Sequence, residues 1–339
     1  MGAGAITDNA TVGPDRMLSL YRSMAIARAL DLESVAMQRQ GIIPGYAPMR
    51  GQEAAQIGSG AALVDGDFAF GTYRELGVAV ARGVDLVGYI ATHLAAWHGG
   101  LYNPKESGFA AINAVVAGSV LHAAGWARGE QLKGSHGVAI SYFGDGASSQ
   151  GEVHEAMNFA ALEKSPVVFF CQNNGWAISV PTEKQVAGGS VAARAQGYGM
   201  PGERIDGNDV VEVFRVTSEA VERARRGEGP TVIEAVTYRA GPHSTSDDPG
   251  RYRSLAEENS WQKRDPIVLM RKRLQADGQL DDAADARISE EAAAVVEEVR
   301  DGIVHLAAQP GSDMFTFVFA EPTAAVQEQL EEWKEASHV

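Results

Sequence analysis

The chain has 339 residues, enough to bury a sizeable core as one large domain or two small ones. Its 44 acidic against 29 basic side chains leave a formal charge of −15, which repels nucleic acid and anionic membranes and excludes both as primary partners. No apolar run approaches the roughly 18 residues that span a bilayer, and the single cysteine, Cys171, forbids an intrachain disulfide and points to a reducing compartment. Residues 1–15 lack the basic flank and apolar core of a signal peptide and the Arg-rich pattern of a transit peptide, so they read as a loose tail and the chain as cytoplasmic.

Pro14 and Asp15 open a helix whose apolar positions Met17, Leu18, Tyr21, Met24, Ala25 and Leu32 recur at helical spacing until Gly41. After a Pro- and Gly-containing loop, 41–50, a small-residue helix over 51–63 leads through Asp65-Gly66-Asp67 into a short strand, Phe68–Phe70, aimed at Tyr73 and Arg74. An arginine just past a strand end can grip a diphosphate oxygen with its charged fork, although a surface ion pair would also place it there. Residues 85–97 are expected to be helical, 99–111 to form a Gly-containing loop, and 117–128 to form a helix of small residues suited to close packing.

The centre of the chain is the stretch 138–179. A β-prone run, Val138–Phe143, stops at Gly144-Asp145-Gly146, where two glycines allow a tight turn around one carboxylate. Val153, Ala156, Met157, Ala160 and Ala161 then repeat at helical spacing, with Ser148 and Ser149 as candidate caps, and Pro166 starts a second buried run ending at Gln172-Asn173-Asn174-Gly175. A strand–helix–strand unit is right-handed almost without exception, so both strand ends open on one sheet edge and bring Asp145 and Asn174 together. Ligands bind at such edges, and a carboxylate, an amide oxygen and a carbonyl from the turn after Asn174 are hard ligands for Mg²⁺ carrying a diphosphate.

Downstream, a loop (180–189), a short helix (191–198) and a brief strand around Arg204–Asp206 precede an amphipathic helix, 210–226, capped by Asp209. The strand 230–238 ends at the polar segment 239–253, which carries His243, a candidate acid or base because imidazole titrates near neutrality. Asp265-Pro266 starts another helix, Ser289 is read as the cap of a long one, and Pro322 opens the last. His154 lacks the second histidine of a zinc helix and reads as structural.

Gly144-Asp145-Gly146 followed 29 residues after Asp145 by Asn174 resembles the thiamine diphosphate motif. Together with Tyr73-Arg74-Glu75, Gly51-Gln52-Glu53-Ala54 and His243–Asp248 with Tyr252-Arg253, it makes residues 17–275 similar to the α subunit of the E1 component of 2-oxo acid dehydrogenases, closest to the branched-chain type. The resemblance implies an α/β fold with a mostly parallel sheet flanked by helices, a thiamine diphosphate-binding domain over 16–275, and C-terminal helices, 276–339, packed on that domain. It implies that Asp145, Asn174 and the carbonyl of Trp176 hold Mg²⁺, that Gly146 and Ala147 offer backbone near the diphosphate, and that Tyr73, Arg74 and His243 meet the diphosphate, His243 also facing the substrate side. Val116 and Ile178 would support the cofactor rings. A β subunit would supply the carboxylate that activates the cofactor, in an α₂β₂ enzyme that decarboxylates a 2-oxo acid and acylates a lipoyl group on E2.

Three departures from the family pattern stand out. Gln172 occupies the place of Arg or Glu, Ala114 that of the branched-chain Ser, and Gly99–Glu106 that of a His-containing, Gly-rich segment. Ser244 corresponds to a phosphorylated serine of animal members. Leu76 after Tyr-Arg-Glu, in place of the His of pyruvate and acetoin types, favours branched-chain substrates, with pyruvate or acetoin as the alternative. A Rossmann-type protein is disfavoured, since Gly144-Asp-Gly-Ala-Ser-Ser lacks G-x-G-x-x-G, and a non-catalytic scaffold that kept the fold is a third reading.

Overall fold

The computed structural model describes residues 12–94, 101–316 and 318–337. The first eleven residues of the expected tail, the end of the helix expected over 85–97 and the start of the loop 99–111 lie outside them. Five strands build the main sheet, β1 (Phe68–Phe70), β2 (Ala139–Gly144), β3 (Val167–Asn173), β6 (Gly202–Asp206) and β7 (Thr231–Val236), while β4 (Trp176–Ala177) and β5 (Val180–Pro181) form a small antiparallel ribbon. The sheet order is β1-β2-β3-β7-β6, and every pairing in it is parallel. Parallel strands must be covered on both faces, which is why β2 and β3 read as continuous buried runs rather than alternating ones.

Helices α1 (Pro14–Arg39), α2 (Glu53–Gly60), α3 (Leu76–Arg82), α4 (Leu86–Ala91), α5 (Pro104–Ser107), α6 (Gly118–Lys133), α7 (Gly151–Glu163) and α8 (Val210–Arg225) surround it. Phe143, Phe169 and Cys171 pack with Val120, Ala123 and Ala127 of α6 and Val153, Ala156, Met157 and Ala160 of α7. Tyr142, one residue along the pleat, points the other way and donates its hydroxyl to Ser59 Oγ on α2 at 3.0 Å. The right-handed β2–α7–β3 crossover pairs Gly144 with Gln172, so the two polar turns share the carboxyl edge of the sheet.

Helices α9 (Leu255–Gln262), α10 (Pro266–Ala276) and α11 (Asp282–Val304) follow the last strand. Asp209 and Asp265 cap α8 and α10, each accepting two backbone N–H groups. Ser289 does not cap α11. The helix starts two turns earlier, where Asp281 accepts from the Ala284 amide at 2.7 Å, and Ser289 bonds back to the Asp285 carbonyl inside it. The expected caps of α7 also act elsewhere: Ser148 Oγ donates to the Asp145 carbonyl at 2.6 Å, closing the acidic turn.

The chain divides into a unit ending at Ile303 and a second one from Val304. In the second, α12 (Asp313–Thr316) and α13 (Ala324–Ser337) meet through Phe315 and Trp333, whose ring centres lie 6.0 Å apart.

Candidate active site

At the carboxyl edge of the sheet a cavity of about 440 Å³ opens between the loops. Tyr73, Arg74, Val116, Asp145, Gly146, Ala147, Asn174, Trp176, Ile178 and His243 all line it. Asp145 follows β2 directly and is 1 % exposed, with its Oδ2 accepting the Thr182 hydroxyl at 2.6 Å. Asn173 and Asn174 each form a side-chain turn, Asn173 Oδ1 accepting the Gly175 amide at 3.2 Å and Asn174 Oδ1 the Trp176 amide at 3.3 Å. The fold back at Gly175 needs φ of +85°, a conformation glycine adopts at no steric cost. Gly146 is required by close approach, since a Cβ there would stand 2.7 Å from that of Ala177.

The facing wall is cationic. Arg74 is buried, its Nη1 donating to the Pro48 carbonyl at 2.5 Å and its Nη2 to the His243 carbonyl at 2.9 Å, with His243 Nδ1 at 3.2 Å. Tyr73 lies edge-on to the His243 ring. Arg239, at the end of β7, reaches the Trp176 carbonyl at 3.3 Å, the Ile178 carbonyl at 2.8 Å and the Tyr252 hydroxyl at 2.9 Å. Asp247 fixes the histidine loop by accepting the His243 amide at 2.8 Å. Val115, Val116 and Ile178 present exposed aliphatic surface to the same cavity, and Ile178 does so from a strained φ of +54°.

Burial raises the Asp145 pKa above the ordinary carboxylate value, against the Thr182 bond and the Arg239 charge that lower it. For His243 the sequence-based expectation of titration near neutrality needs correction. Burial, then the charges of Arg74 and Arg239, push its pKa down to about 4, so it is neutral at pH 7. Nδ1 faces two guanidinium groups and is therefore the acceptor, which leaves the proton on Nε2.

The family of dehydrogenase E1 components matches residues 21–302. The chain belongs to that family. The 3-methyl-2-oxobutanoate dehydrogenase subunit alpha of Mycobacterium tuberculosis H37Rv is 45% identical to it over 313 residues, covering 92% of this chain and 85% of the relative. The 2-oxoisovalerate dehydrogenase subunit alpha of Bacillus subtilis is 40% identical over 295 residues, 84% of this chain and 89% of the relative. The pyruvate dehydrogenase E1 component subunit alpha of the same organism is 37% identical over 322 residues, 94% and 85%. E1 α subunits belong to thiamine diphosphate-dependent 2-oxo acid dehydrogenases and imply a β subunit and an E2 partner.

Several residues in or beside the cavity of this E1 α subunit are given no role by the sequence. Arg239 carries the same signal as Arg74, an arginine just past a strand end, and could have been singled out on that ground. Gln172 lines the cavity but is tied down, donating to Glu75 Oε1 at 2.7 Å and accepting from Gln56 at 3.0 Å. Thr182 and Gln185, which donate to Asp145 and to the Gly146 carbonyl, arrive on a loop with no periodic signal. His154 does not line the cavity, and its Nδ1 lies 2.7 Å from the Tyr198 hydroxyl. Among the described residues no helix is long and apolar enough to cross a membrane.

Proposed function

We propose that this E1 α subunit, joined to a β subunit as α₂β₂ in a reducing cytoplasm, binds thiamine diphosphate with Mg²⁺ and serves the oxidative decarboxylation of a branched-chain 2-oxo acid, the acyl group passing to a lipoyl group on E2. The observation that carries this reading is the convergence of the expected site residues, from five separate segments, on one cavity with a hard-oxygen wall and a cationic wall. The donor set fits the ion. Asp145 is a buried carboxylate disfavoured in its charged form, which a cation would stabilise. The Asn174 amide oxygen and the Trp176 carbonyl each accept a long bond of 3.3 Å, and a carbonyl oxygen has a second lone pair to offer. One carboxylate and two neutral oxygens suit Mg²⁺, which fills the rest of its octahedron with phosphate oxygens and water.

Thiamine diphosphate supplies the reacting carbon and the electron sink for loss of CO₂; the chain's residues bind and orient. Arg74 would meet the diphosphate with its charge and the N–H groups left over from its bonds to Pro48 and His243, and Tyr73 with a hydroxyl. The backbone of Gly146 and Ala147 lines the cavity where it would meet the diphosphate. Neutral His243 offers its Nε2 proton to anionic oxygen of the diphosphate or the substrate without needing to ionise first. Val116 and Ile178 would support the rings with the exposed aliphatic surface they turn to the cavity.

Leu76 after Tyr-Arg-Glu, and the identities of 45% and 40% to relatives named for 3-methyl-2-oxobutanoate and 2-oxoisovalerate, favour a branched-chain substrate. Identities of 37% and 38% to pyruvate dehydrogenase α subunits keep pyruvate as the second reading. With the β subunit and E2 supplied, kcat/KM on 3-methyl-2-oxobutanoate is expected to exceed that on pyruvate, and the reverse order would overturn the choice. In the same assay Asn174→Ala is expected to abolish activity, and the chain without its β subunit to show none.

A further inference from the structure

Asp31 lies in α1, 1 % exposed, and takes no part in lining the cavity. Its Oδ1 accepts the Tyr46 hydroxyl at 2.8 Å and the Met49 amide at 2.7 Å, and its Oδ2 accepts the Arg50 amide at 3.2 Å. These three donors fasten residues 46–50, a segment without regular secondary structure whose Tyr46, Ala47, Pro48 and Met49 are nonetheless buried. Such a segment has no ladder to hold it, so its side-chain bonds decide where it sits.

That segment carries two struts of the cationic wall. The Pro48 carbonyl accepts Arg74 Nη1 at 2.5 Å. Tyr46 is bonded to Thr245 twice, its amide donating to Thr245 Oγ1 at 3.2 Å and its carbonyl accepting the Thr245 amide at 2.9 Å, two residues beyond His243. One buried carboxylate therefore reaches both diphosphate-facing residues through a single intermediate layer. We propose that Asp31 is a positioning residue for the cofactor anchor: by holding 46–50 it sets Arg74 and His243 at the spacing in which they grip the diphosphate. This rests on the reading of the cavity as the thiamine diphosphate site.

The chemistry calls for a carboxylate. All three partners are donors, and an amide at this position would turn an N–H group toward one of them. Burial opposes the charge and raises the Asp31 pKa to about 6, the bonds from Met49 and Tyr46 and the Arg28 charge offsetting only part of that, while Glu53 adds to it. The carboxylate is thus held in place at a cost that its geometry must offset.

The test uses the α chain assembled with its β subunit and follows thiamine diphosphate plus Mg²⁺ by calorimetry, together with hydrogen exchange at the Thr245 amide without cofactor. Asp31→Asn is expected to raise the Kd for the cofactor by about tenfold, to reduce protection at Thr245, and to leave kcat at saturating cofactor within about twofold. Tyr46→Phe, which removes one of the three donors, is expected to move the same two readouts less, and it carries the test if Asp31→Asn does not assemble. A merely structural role would lower the melting temperature with the Kd unchanged, and that result would overturn the proposal. Arg74→Ala separates the two possible failures. Lost affinity there with none lost in Asp31→Asn overturns the positioning role alone, whereas no loss in either overturns the cofactor assignment and the positioning role with it.

Discussion

On one wall of the cavity Asp145 and Asn174 sit at the ends of β2 and β3, so the parallel ladder that pairs Gly144 with Gln172 also sets the distance between the two turns. On the other, Arg74 and His243 belong to loops 169 residues apart that are held by each other, by Pro48 and by Asp247. The first wall is a by-product of the core. The second is a separate hydrogen-bonded assembly that must be built residue by residue. On the function proposed above the difference matches the tasks, because a small ion with near-ideal octahedral demands needs rigid ligands, whereas a diphosphate would have to enter and leave past groups that can yield. The first wall should therefore fail only through its ligands, and the second through neighbours as well.

The largest effect is expected at the ligand wall. Asp145→Asn removes its only carboxylate and should weaken Mg²⁺-dependent cofactor binding by about 100-fold. Because burial works against the charged form of Asp145, the cofactor-free protein should melt no lower than the parent. Calorimetry and a thermal scan check both halves, and a melting temperature several degrees lower would show that the carboxylate is a strut of the core, erasing the contrast between the walls.

A smaller effect is expected across the cavity. Arg74→Lys keeps the charge but cannot reach the Pro48 carbonyl, the His243 carbonyl and the cofactor at once, since an ammonium lacks the planar fork. Cofactor affinity should fall about tenfold, and hydrogen exchange should rise in the 243–248 loop while the turn at 173–176 stays protected. Equal loosening of both turns would mean that the walls are one unit.

The same contrast governs what could be read without coordinates. The strand–helix–strand unit announces itself through buried runs and period, and its two turns converge by handedness alone, so Asp145 and Asn174 are legible as a pair. The members of the cationic wall are legible singly, as residues just past strand ends, but only the resemblance joins Arg74 to His243. Nothing in the spacing of Asp31, Tyr46, Arg74 and Thr245 shows that one layer of hydrogen bonds joins them, because such bonds have no period and link distant segments. Gln172 carries the same lesson. By resemblance it stands where the family carries Arg or Glu, yet its amide is already committed to Glu75 and Gln56. The start of α11 is misplaced for a local reason, since Asp281 offers a cap before Ser289 can and the alanines between them do not interrupt the helix.

His243 gives the mildest and most specific probe of the cationic wall. Its pKa falls from 6.5 to about 4, through burial first and then through Arg74 and Arg239. As pH drops from about 6.5 to about 4 the unfolded chain takes up a proton that the folded chain refuses, so the stability contributed by the neutral ring is complete above that window and is lost on descending through it. His243→Gln should remove this component, leaving the melting temperature of the cofactor-free subunit less dependent on pH between those limits. Bound diphosphate would offset the two guanidinium charges and raise the histidine's affinity for protons, so cofactor binding below pH 6.5 should take up a proton in the parent and less in the variant, read as a buffer-dependent binding enthalpy. Identical pH profiles in the two proteins would place His243 outside the field of Arg74 and Arg239, and the loop-borne wall would then lose the electrostatic coupling that sets it apart from the strand-borne one.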